Sequence, residues 1–236
     1  MSPDDIKSIK GLIRERIWRE MESRGVASFP FPIRGRVPNF LGSTEAALRM
    51  RDLEEYLSAK TIMVNPDSPQ LPVRRMCLRD GKRLLMATPA LRKGLVVIDP
   101  GRAGNPEKAA TIGGAIIWGK PADPRAIRVD LIVEGSVAVD VLGGRVGKGA
   151  GWGDLEYAIL RESGAADDEV KVATTVHDIQ VVEEAIPMEP HDMPVDIVLT
   201  PTRTLMTSRA HPKPRGISWE KLEGDRLALV RRILGT

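Results

Sequence analysis

Five short apolar runs, separated by helical or turn-rich segments, constrain the fold of this chain more than any other feature. Several of them are apolar on both faces, a pattern typical of strands in the middle of a mostly parallel sheet that helices cover on both sides. Predicted helices at residues 71–79 and 155–163 provide crossover connections between such strands. The sequence therefore predicts an α/β fold built on a mostly parallel sheet. The five runs are residues 61–64, 83–87, 129–133, 170–174 and 196–199.

The N-terminal region predicts two amphipathic helices joined by a proline-rich connector without regular structure. Asp4 or Asp5 is the expected cap of the first helix, which runs to about Arg24. Ser43 is the expected cap of the second helix, which continues through Tyr56. The first helix carries an apolar stripe at three- and four-residue steps, which predicts that one of its sides packs on a core. The stripe is Ile6, Ile9, Ile13, Ile17 and Met21.

Residues 1–236 are predicted to form one domain. A chain of 236 residues is long enough to bury a full core without disulfides or structural metal. The two flexible stretches, 101–106 and 121–124, are expected to be surface loops, because the strand and helix pattern continues across both.

Composition favours an ordinary globular protein of a reducing compartment. Hydrophobic residues make up 42% of the chain and charged residues 28%, which excludes a disordered or fibrous class. Cys77 is the only cysteine, and we expect a cytoplasmic, untargeted protein without a membrane segment. A net charge of +3, spread along the chain, argues against nucleic acid as a partner. The scarcity of Asn and Gln favours a source in a hot environment.

The most informative segment is the glycine-rich stretch 143–154, which follows an apolar run and precedes a predicted helix. Glycines let backbone N–H groups turn inward around an anion, and the start of a helix adds partial positive charge, so this arrangement suits phosphate. Arg145 and Lys148 add full charges, and Asp154 suits the Mg²⁺ that accompanies a nucleotide. The segment matches neither the Walker pattern nor the dinucleotide fingerprint. The alternative interpretation is a flexible turn with two solvated cations.

The sequence RVGKGAGWGD, at residues 145–154, is similar to the Arg-Leu-Gly-x-Gly-x-Gly-Tyr-Tyr-Asp motif of the 5-formyltetrahydrofolate cyclo-ligases, also called methenyltetrahydrofolate synthetases. Lys10 and Arg14 resemble the N-terminal Lys-x-x-x-Arg that contacts ATP phosphates in the family. The strand region 130–140 and the closing block HDMPVDIVLTP, which contains Asp192, also agree in order and spacing. Four ordered blocks are far more specific than one glycine-rich loop.

This resemblance implies the three-layer α/β/α fold shared with ribose-5-phosphate isomerase and CoA-transferase proteins. It implies an ATP- and Mg²⁺-dependent ligase that converts 5-formyltetrahydrofolate, or a related reduced pterin, to the 5,10-methenyl form. In the family the formyl oxygen attacks the γ-phosphate, N10 then closes on the activated carbon, and no protein nucleophile is required. By resemblance, Arg145 and Lys148 neutralise the phosphate charge during transfer. The other implied contacts are Asp154 and Asp192 for Mg²⁺; Ile62, Asp67 and Trp152 for the substrate; and Lys10, Arg14, Gly144, Arg145, Gly147, Lys148, Gly149, Gly151, Trp152 and Gly153 for ATP.

The sequence departs from the family pattern at several site positions. Trp152 and Gly153 stand where the motif has paired tyrosines. Ala150 stands where many members carry lysine, and Asp67 where a folate-binding glutamate is usual. The segment GRVPNFLGSTEAA resembles a divergent branch that includes archaeal members and the first domain of animal proteins with an added RNA-binding module. The alternative function is therefore a nucleotide-binding paralogue without ring-closing activity, in a regulatory, RNA-associated or thiamin-related role.

Other residues have side chains suited to chemistry. Glu134 follows one of the apolar runs and is expected to line the cleft where strands end. Cys77 is expected to be buried on an apolar helical face rather than to act as a nucleophile. His177 and His191 are more typical of hydrogen-bonded loop residues than of acid–base catalysts.

Overall fold

The computed structural model describes residues 1–236 and consists of one large sheet, two small sheets and eight helices. The strands are β1 (Ala27–Ser28), β2 (Asn39–Phe40), β3 (Thr61–Val64), β4 (Arg83–Ala87), β5 (Leu95–Ile98), β6 (Lys120–Ala122), β7 (Leu131–Val133), β8 (Ala138–Asp140), β9 (Arg145–Val146), β10 (Lys171–Thr175), β11 (Val181–Val182), β12 (Ile197–Leu199) and β13 (Thr204–Met206). The helices are α1 (Pro3–Ser23), α2 (Ser43–Leu48), α3 (Glu54–Ser58), α4 (Leu71–Arg79), α5 (Pro106–Ala109), α6 (Ile112–Trp118), α7 (Trp152–Glu162) and α8 (Gly224–Leu234).

The large sheet has eight strands in the order β13-β12-β10-β7-β3-β4-β5-β6. The four pairs from β12 to β4 are parallel, and the three outer pairs are antiparallel. All five predicted strands lie in this sheet, with bounds within two residues of expectation. The prediction of a mostly parallel sheet is confirmed.

Both faces of the large sheet are buried, because alternate side chains of its strands enter two different cores. On β3, Ile62 and Val64 pack with residues of α2 to α6, whereas Met63 packs with α7 and α8. The first core contains 23 buried residues and the second contains 22, so helices cover both sides of the middle strands. This arrangement confirms the three-layer α/β/α prediction and explains why the central runs are apolar at every position.

Helix α1, the longest helix at 21 residues, packs on the small sheet β11-β8-β9. Its predicted stripe faces that sheet, where Ile13, Ile17 and Met21 share a buried cluster with Ala138 and Val146. The opposite side of α1 is charged. None of the eight helices combines the length and the apolar character that a bilayer-spanning segment requires.

The predicted helix caps are wrong for both N-terminal helices. Ser2, rather than Asp4 or Asp5, caps α1: its hydroxyl accepts the N–H of Asp5, whose carboxylate accepts the N–H of Ser2. This reciprocal capping box satisfies two of the amides that the first turn leaves unpaired. Gly42, rather than Ser43, precedes α2, with φ at +88°.

The predicted helix 43–56 is divided into α2, a short 3₁₀ turn and α3. Leu53 interrupts it with an extended backbone, φ −99° and ψ 130°. The break lets Arg51 and Tyr56 bind the same carboxylate, Asp80, at 2.6 and 2.8 Å. In a continuous helix, side chains five positions apart point about 140° away from each other, so one carboxylate would not reach both.

The strands that the sequence analysis missed are short and mostly antiparallel. They form the two edges of the large sheet, β5–β6 and β13, and the two small sheets, β1-β2 and β11-β8-β9. The stretch 121–124 was expected to be a loop, but Pro121 lies in β6, the outermost strand. Proline is tolerated at a sheet edge because its missing N–H has no neighbouring strand to bind. The single-domain organisation of residues 1–236 stays a prediction.

The parallel strands place several polar residues at one edge of the large sheet. Asn65 directly follows β3, and Glu134 directly follows β7. The two strands are neighbours, and the N–H of Asn65 donates to the carbonyl of Val133 at 3.1 Å. The carboxyl edge of such a sheet is where α/β folds usually bind ligands.

Leu85→Ala is expected to lower the free energy of unfolding by about 2–5 kcal/mol, because it leaves a cavity in a close-packed core. Leu85 lies on β4 and is completely buried. Leu57→Ala on α3 is the matched control, since Leu57 is 58% exposed, and its cost should stay within about 0.5 kcal/mol. Urea unfolding monitored by circular dichroism measures both, and equal costs would contradict the layered arrangement.

Candidate functional site

A cavity of about 390 Å³ opens at the carboxyl edge of the large sheet. One of its sides is formed by the loop 147–151 and the first turn of α7, and the other by the residues that follow β3 and β7. Most of the predicted site residues line this cavity and are therefore near one another. Six of the lining residues are charged. They are Asp67, Glu134, Arg145, Lys148, Asp154 and Glu156.

The glycine-rich stretch 143–154 is not one continuous loop. It consists of a tight turn after β8, strand β9, the loop 147–151 and the first turn of α7. Gly144 lies in the tight turn, where its N–H donates to the Asp140 carboxylate at 2.8 Å. Of the predicted glycines, Gly147, Gly151 and Gly153 line the cavity, whereas Gly144 and Gly149 do not.

Four residues of the loop 147–151 line the cavity, namely Gly147, Lys148, Ala150 and Gly151. Gly149 adopts φ +103° and Gly151 adopts φ +66°, conformations that side-chain-bearing residues rarely take. Gly151 caps α7, and no side chain accepts a hydrogen bond from the amides of its first turn. These amides and the partial positive charge of the helix start suit an anion.

Arg145 on β9 and Asp154 on α7 form an ion pair of 2.5 Å, with side chains only 4% and 18% exposed. Arg145 also donates to the carbonyl of Gly135 and to that of Met193, both at 3.2 Å. Burial raises the pKa of Asp154, but Arg145, the N–H of Met193 and Lys10 together hold that pKa below its ordinary value. The Asp154 carboxylate is therefore charged, and both of its hydrogen bonds use Oδ1.

Lys10 and Asp192 form a second buried ion pair, also of 2.5 Å. Oδ2 of Asp192 accepts both Lys10 Nζ and the N–H of Glu189. Asp192, Glu189 and His191 offer ligand atoms that all lie within 4.8 Å of one another. Lys221 Nζ approaches this group, at 3.1 Å from Glu189 and 2.9 Å from His191 Nδ1. His191 is thus hydrogen-bonded, as expected of a loop residue.

Two further cations are associated with the loop 147–151: Arg14 contacts it, and Lys148 belongs to it. Arg14 of α1 donates to the carbonyl of Gly147 at 2.7 Å. Lys148 Nζ lies 2.8 Å from Asp67 Oδ1, and its side chain remains 35% exposed. Among the cations of the cavity wall, Lys148 is the more accessible, because the Arg145 side chain is almost completely enclosed.

The predicted substrate contacts separate into two groups. Asp67 and Trp152 line the cavity. Ile62 does not, because its side chain is completely buried in the core between the large sheet and α2 to α6. The sequence analysis placed Ile62 by alignment with the family, whereas the alternation along β3 turns it inward.

Arg226 on α8 is a site residue that the sequence analysis missed. Its guanidinium lies 4.4 Å from the centre of the Trp152 ring, a cation–π arrangement. It also donates to the carbonyl of Ala150 at 2.6 Å. No pattern in the sequence connects Arg226 with the loop, since 74 positions separate it from Trp152 and only the packing of α8 brings them together.

Glu134 and Glu156 are both buried, at 4% exposure each. Burial raises the pKa of Glu134 to about 7, although the Arg145 guanidinium acts in the opposite direction. Burial, followed by the charges of Glu134 and Asp67, raises the pKa of Glu156 well above its ordinary value. The expectation that Glu134 lines the cleft is confirmed. Glu156 was missed, and its only signal is a glutamate inside the apolar run LEYAIL.

Glu134 also accounts for a departure from the family motif. A Cβ at Gly153 would lie 2.4 Å from Oε1 of Glu134, closer than non-bonded atoms approach. Position 153 therefore has no room for a tyrosine while Glu134 occupies this place.

Two other candidates lie outside the cavity. Cys77 is completely buried, and burial raises the pKa of its thiol to about 12, which confirms a structural role. His177 caps a short 3₁₀ turn, and its Nδ1 accepts the N–H of Ile179.

The sequence model of the 5-formyltetrahydrofolate cyclo-ligase family matches residues 7–201. The methenyltetrahydrofolate synthase domain-containing protein of Mus musculus is 44% identical over 228 residues, which are 94% of this chain and 61% of that protein. Its Homo sapiens counterpart is 43% identical over 231 residues, 94% of this chain and 60% of that protein. The chain thus spans about three fifths of the length of these relatives.

The fold is similar to the NMR structure of Aquifex aeolicus 5,10-methenyltetrahydrofolate synthetase, with a TM-score of 0.52 and 16% sequence identity. The similarity covers 92% of this chain and 97% of the other. At this identity it supports the predicted fold class alone.

Arg145→Met is expected to lower the free energy of unfolding by about 3–5 kcal/mol, because it leaves the Asp154 carboxylate buried without its partner. Asp154→Asn should also destabilise, and the double variant should cost less than the two single costs combined. Arg128→Met is the control, since the Arg128–Asp167 pair is more than half exposed and should contribute less than about 1 kcal/mol. Urea unfolding of all four variants tests this, and additive costs would argue against a coupled pair.

Proposed function

The chain belongs to the 5-formyltetrahydrofolate cyclo-ligase family, and we propose that it catalyses the ATP- and Mg²⁺-dependent conversion of 5-formyltetrahydrofolate, or a related reduced pterin, to the 5,10-methenyl form. Membership supports a ligase at the level of the family. The observation that carries the proposal for this chain is the glycine-rich loop 147–151, which joins the uncapped start of α7 beside a cavity of about 390 Å³.

The proposed site for the ATP phosphates is the loop 147–151 with the cations around it. The uncapped amides of α7 and the glycine amides would donate hydrogen bonds to phosphate oxygens, while Lys148 would supply an accessible charge. Arg14 contacts the same loop from the side of α1, and Lys10 of the same helix binds Asp192. Arg145 is held by Asp154 and would act mainly by keeping the loop and α7 in position.

Asp154 and Asp192 fit the proposed Mg²⁺ site in one respect. The hydrogen bonds that each carboxylate accepts go to a single oxygen, Oδ1 in Asp154 and Oδ2 in Asp192. The other oxygen of each remains for a hard cation that prefers oxygen ligands. When bound, Mg²⁺ would neutralise phosphate charge, and the protein's own part would be to position the two carboxylates through their ion pairs with Arg145 and Lys10.

The reduced pterin would occupy the rest of the cavity, with Trp152 as an apolar wall. No side chain is required as a nucleophile in this reaction, because the formyl oxygen of the substrate attacks the γ-phosphate and N10 closes the ring. The protein would contribute alignment of the two reactants and a site that neutralises the charge of the phosphate. The alternative, a nucleotide-binding paralogue without this activity, shares the phosphate site and differs in turnover.

The wild-type protein is expected to convert 5-formyltetrahydrofolate in the presence of MgATP, with a rise in absorbance from the methenyl product. The reaction should stop when either ATP or Mg²⁺ is omitted. Titration calorimetry with MgATP distinguishes the two functions. Nucleotide binding without turnover of 5-formyltetrahydrofolate or other reduced pterins would reject the cyclo-ligase proposal and favour the paralogue.

Lys148→Ala is expected to weaken MgATP binding at least about tenfold, because a charged hydrogen bond to a phosphate oxygen is lost. Lys60→Ala is the matched control, since Lys60 is exposed and precedes β3 at the opposite edge of the sheet. Both variants should unfold within about 0.5 kcal/mol of the wild type. Unchanged nucleotide affinity in Lys148→Ala would remove this lysine from the phosphate site.

A further inference from the structure

A second cavity, of about 430 Å³, lies at the corner of the large sheet where β4, β5 and β6 meet. It shares no lining residue with the cavity at the carboxyl edge. Arg83 and Lys120, which line it, are the first residues of β4 and β6. The cavity is therefore a separate place in the fold, and its volume is in the range that binds a small molecule.

The strand register brings cationic side chains to one face of the sheet at this corner. Lys120 lies opposite Val97 of β5, and Val97 lies opposite Leu85 of β4. Arg83 is two positions before Leu85, so its side chain leaves the sheet on the same face. Arg102 reaches the cavity from the short 3₁₀ turn after β5. Three cations, one from each of these segments, thus line one cavity.

The three cations have no partner within the protein, since none of them forms an ion pair or a side-chain hydrogen bond. Two carboxylates, Asp99 and Asp123, also line the cavity. Both oxygens of Asp123 are already bound by Arg125, at 3.0 and 2.9 Å. One carboxylate, Asp99, therefore stands against three cations. The cavity has an excess of positive charge, which an anionic ligand would balance.

The remaining lining of the cavity is mostly apolar. Val97, Ala122 and Ile127 are partly buried and continue the second core of the sheet to this corner. Trp118, at the end of α6, is also partly buried and lines the cavity. Its indole N–H donates to no acceptor of the protein and is available to a ligand. A ligand that fills the cavity must therefore cover apolar surface as well as balance charge.

We propose that this cavity binds an aromatic anion, with its ring on the apolar lining beside Trp118 and its phosphate or carboxylate group on the three cations. A bare anion would leave the apolar lining in water, and a neutral ring would leave the cations unbalanced. A strand of another protein is not the occupant we propose, because Lys120 and Pro121 on the outermost strand oppose strand addition. The proposal does not depend on the cyclo-ligase function.

Calorimetric titration of the full chain without nucleotide tests the proposal. The probes are phenyl phosphate, benzoate, inorganic phosphate and benzyl alcohol, which separate the contribution of the ring from that of the anion. The proteins are the wild type, Arg102→Gln, Lys120→Gln and the double variant. Both side chains are exposed and make no contact that folding requires, and circular dichroism of each variant checks this. Lys148→Ala is the matched control, because it removes a cation from the other cavity.

The wild type is expected to bind phenyl phosphate at least about tenfold more tightly than inorganic phosphate, because the ring buries apolar surface. Benzyl alcohol should bind more weakly than phenyl phosphate by a similar factor. Arg102→Gln and Lys120→Gln should each weaken the binding of phenyl phosphate roughly fivefold, the upper range for a solvent-exposed ion pair. The double variant should weaken it further, and Lys148→Ala should keep the affinity of the wild type.

The proposal is overturned if neither phenyl phosphate nor benzoate binds, or if the double variant keeps the affinity of the wild type. Loss of binding in Lys148→Ala alone would place the anion in the catalytic cavity and would equally reject this site. Equal affinity for phenyl phosphate and inorganic phosphate would reject the aromatic part of the proposal. The two aromatic probes identify the anionic group, since tighter binding of phenyl phosphate supports a phosphate ligand and tighter binding of benzoate supports a carboxylate.

Discussion

The guanidinium of Arg145 is the interaction on which the candidate site depends. It is nearly enclosed, and it joins four separate segments: its own strand β9, the Gly135 carbonyl after β7, the Met193 carbonyl before β12, and Asp154 in the first turn of α7. An enclosed cation needs such a complete set of acceptors, because desolvation without them would cost several kcal/mol. The same contacts fix where the loop 147–151 begins and where it ends.

The loop 147–151 also separates two electrostatic environments. On the side of α1, Arg14 contacts the loop directly and Lys10 stands behind it with Asp192. On the side of the large sheet, the residues after β3 and β7 supply carboxyls in excess of cations. Glycines in the loop leave both environments accessible, because they place no side chain between them.

The sequence predicted the elements that depend on local pattern and missed those that depend on distant contacts. The central strands were predictable because burial on two faces requires apolar residues at every position, as in β3. The helix 43–56 was not, because its break depends on Asp80, a residue beyond the following strand. The glycine-rich loop was recognised from its composition, but the sequence did not indicate that Arg145 pairs with Asp154. The phosphate contact of Arg145 stays a prediction. Which negatively charged group a cation pairs with depends on the fold. Glu156 shows that the sequence alone does not distinguish a buried carboxyl from an exposed one on a helix.

The departures of this chain from the family motif form one linked set rather than separate losses. The paired tyrosines of the motif correspond to Trp152 and Gly153, and Gly153 is required because Glu134 fills the space in which its side chain would lie. The remaining ring, Trp152, gains a different neighbour: Arg226 of α8, which lies 4.4 Å from the ring and also holds the Ala150 carbonyl. Residue 226 is outside the part of the chain that matches the family, 7–201, so this support comes from the C-terminal segment. The Trp152 ring and the Ala150 carbonyl are thus supported by a cation from α8, beyond the residues that match the family model. Tyrosine at 153 would require the Glu134 side chain to move.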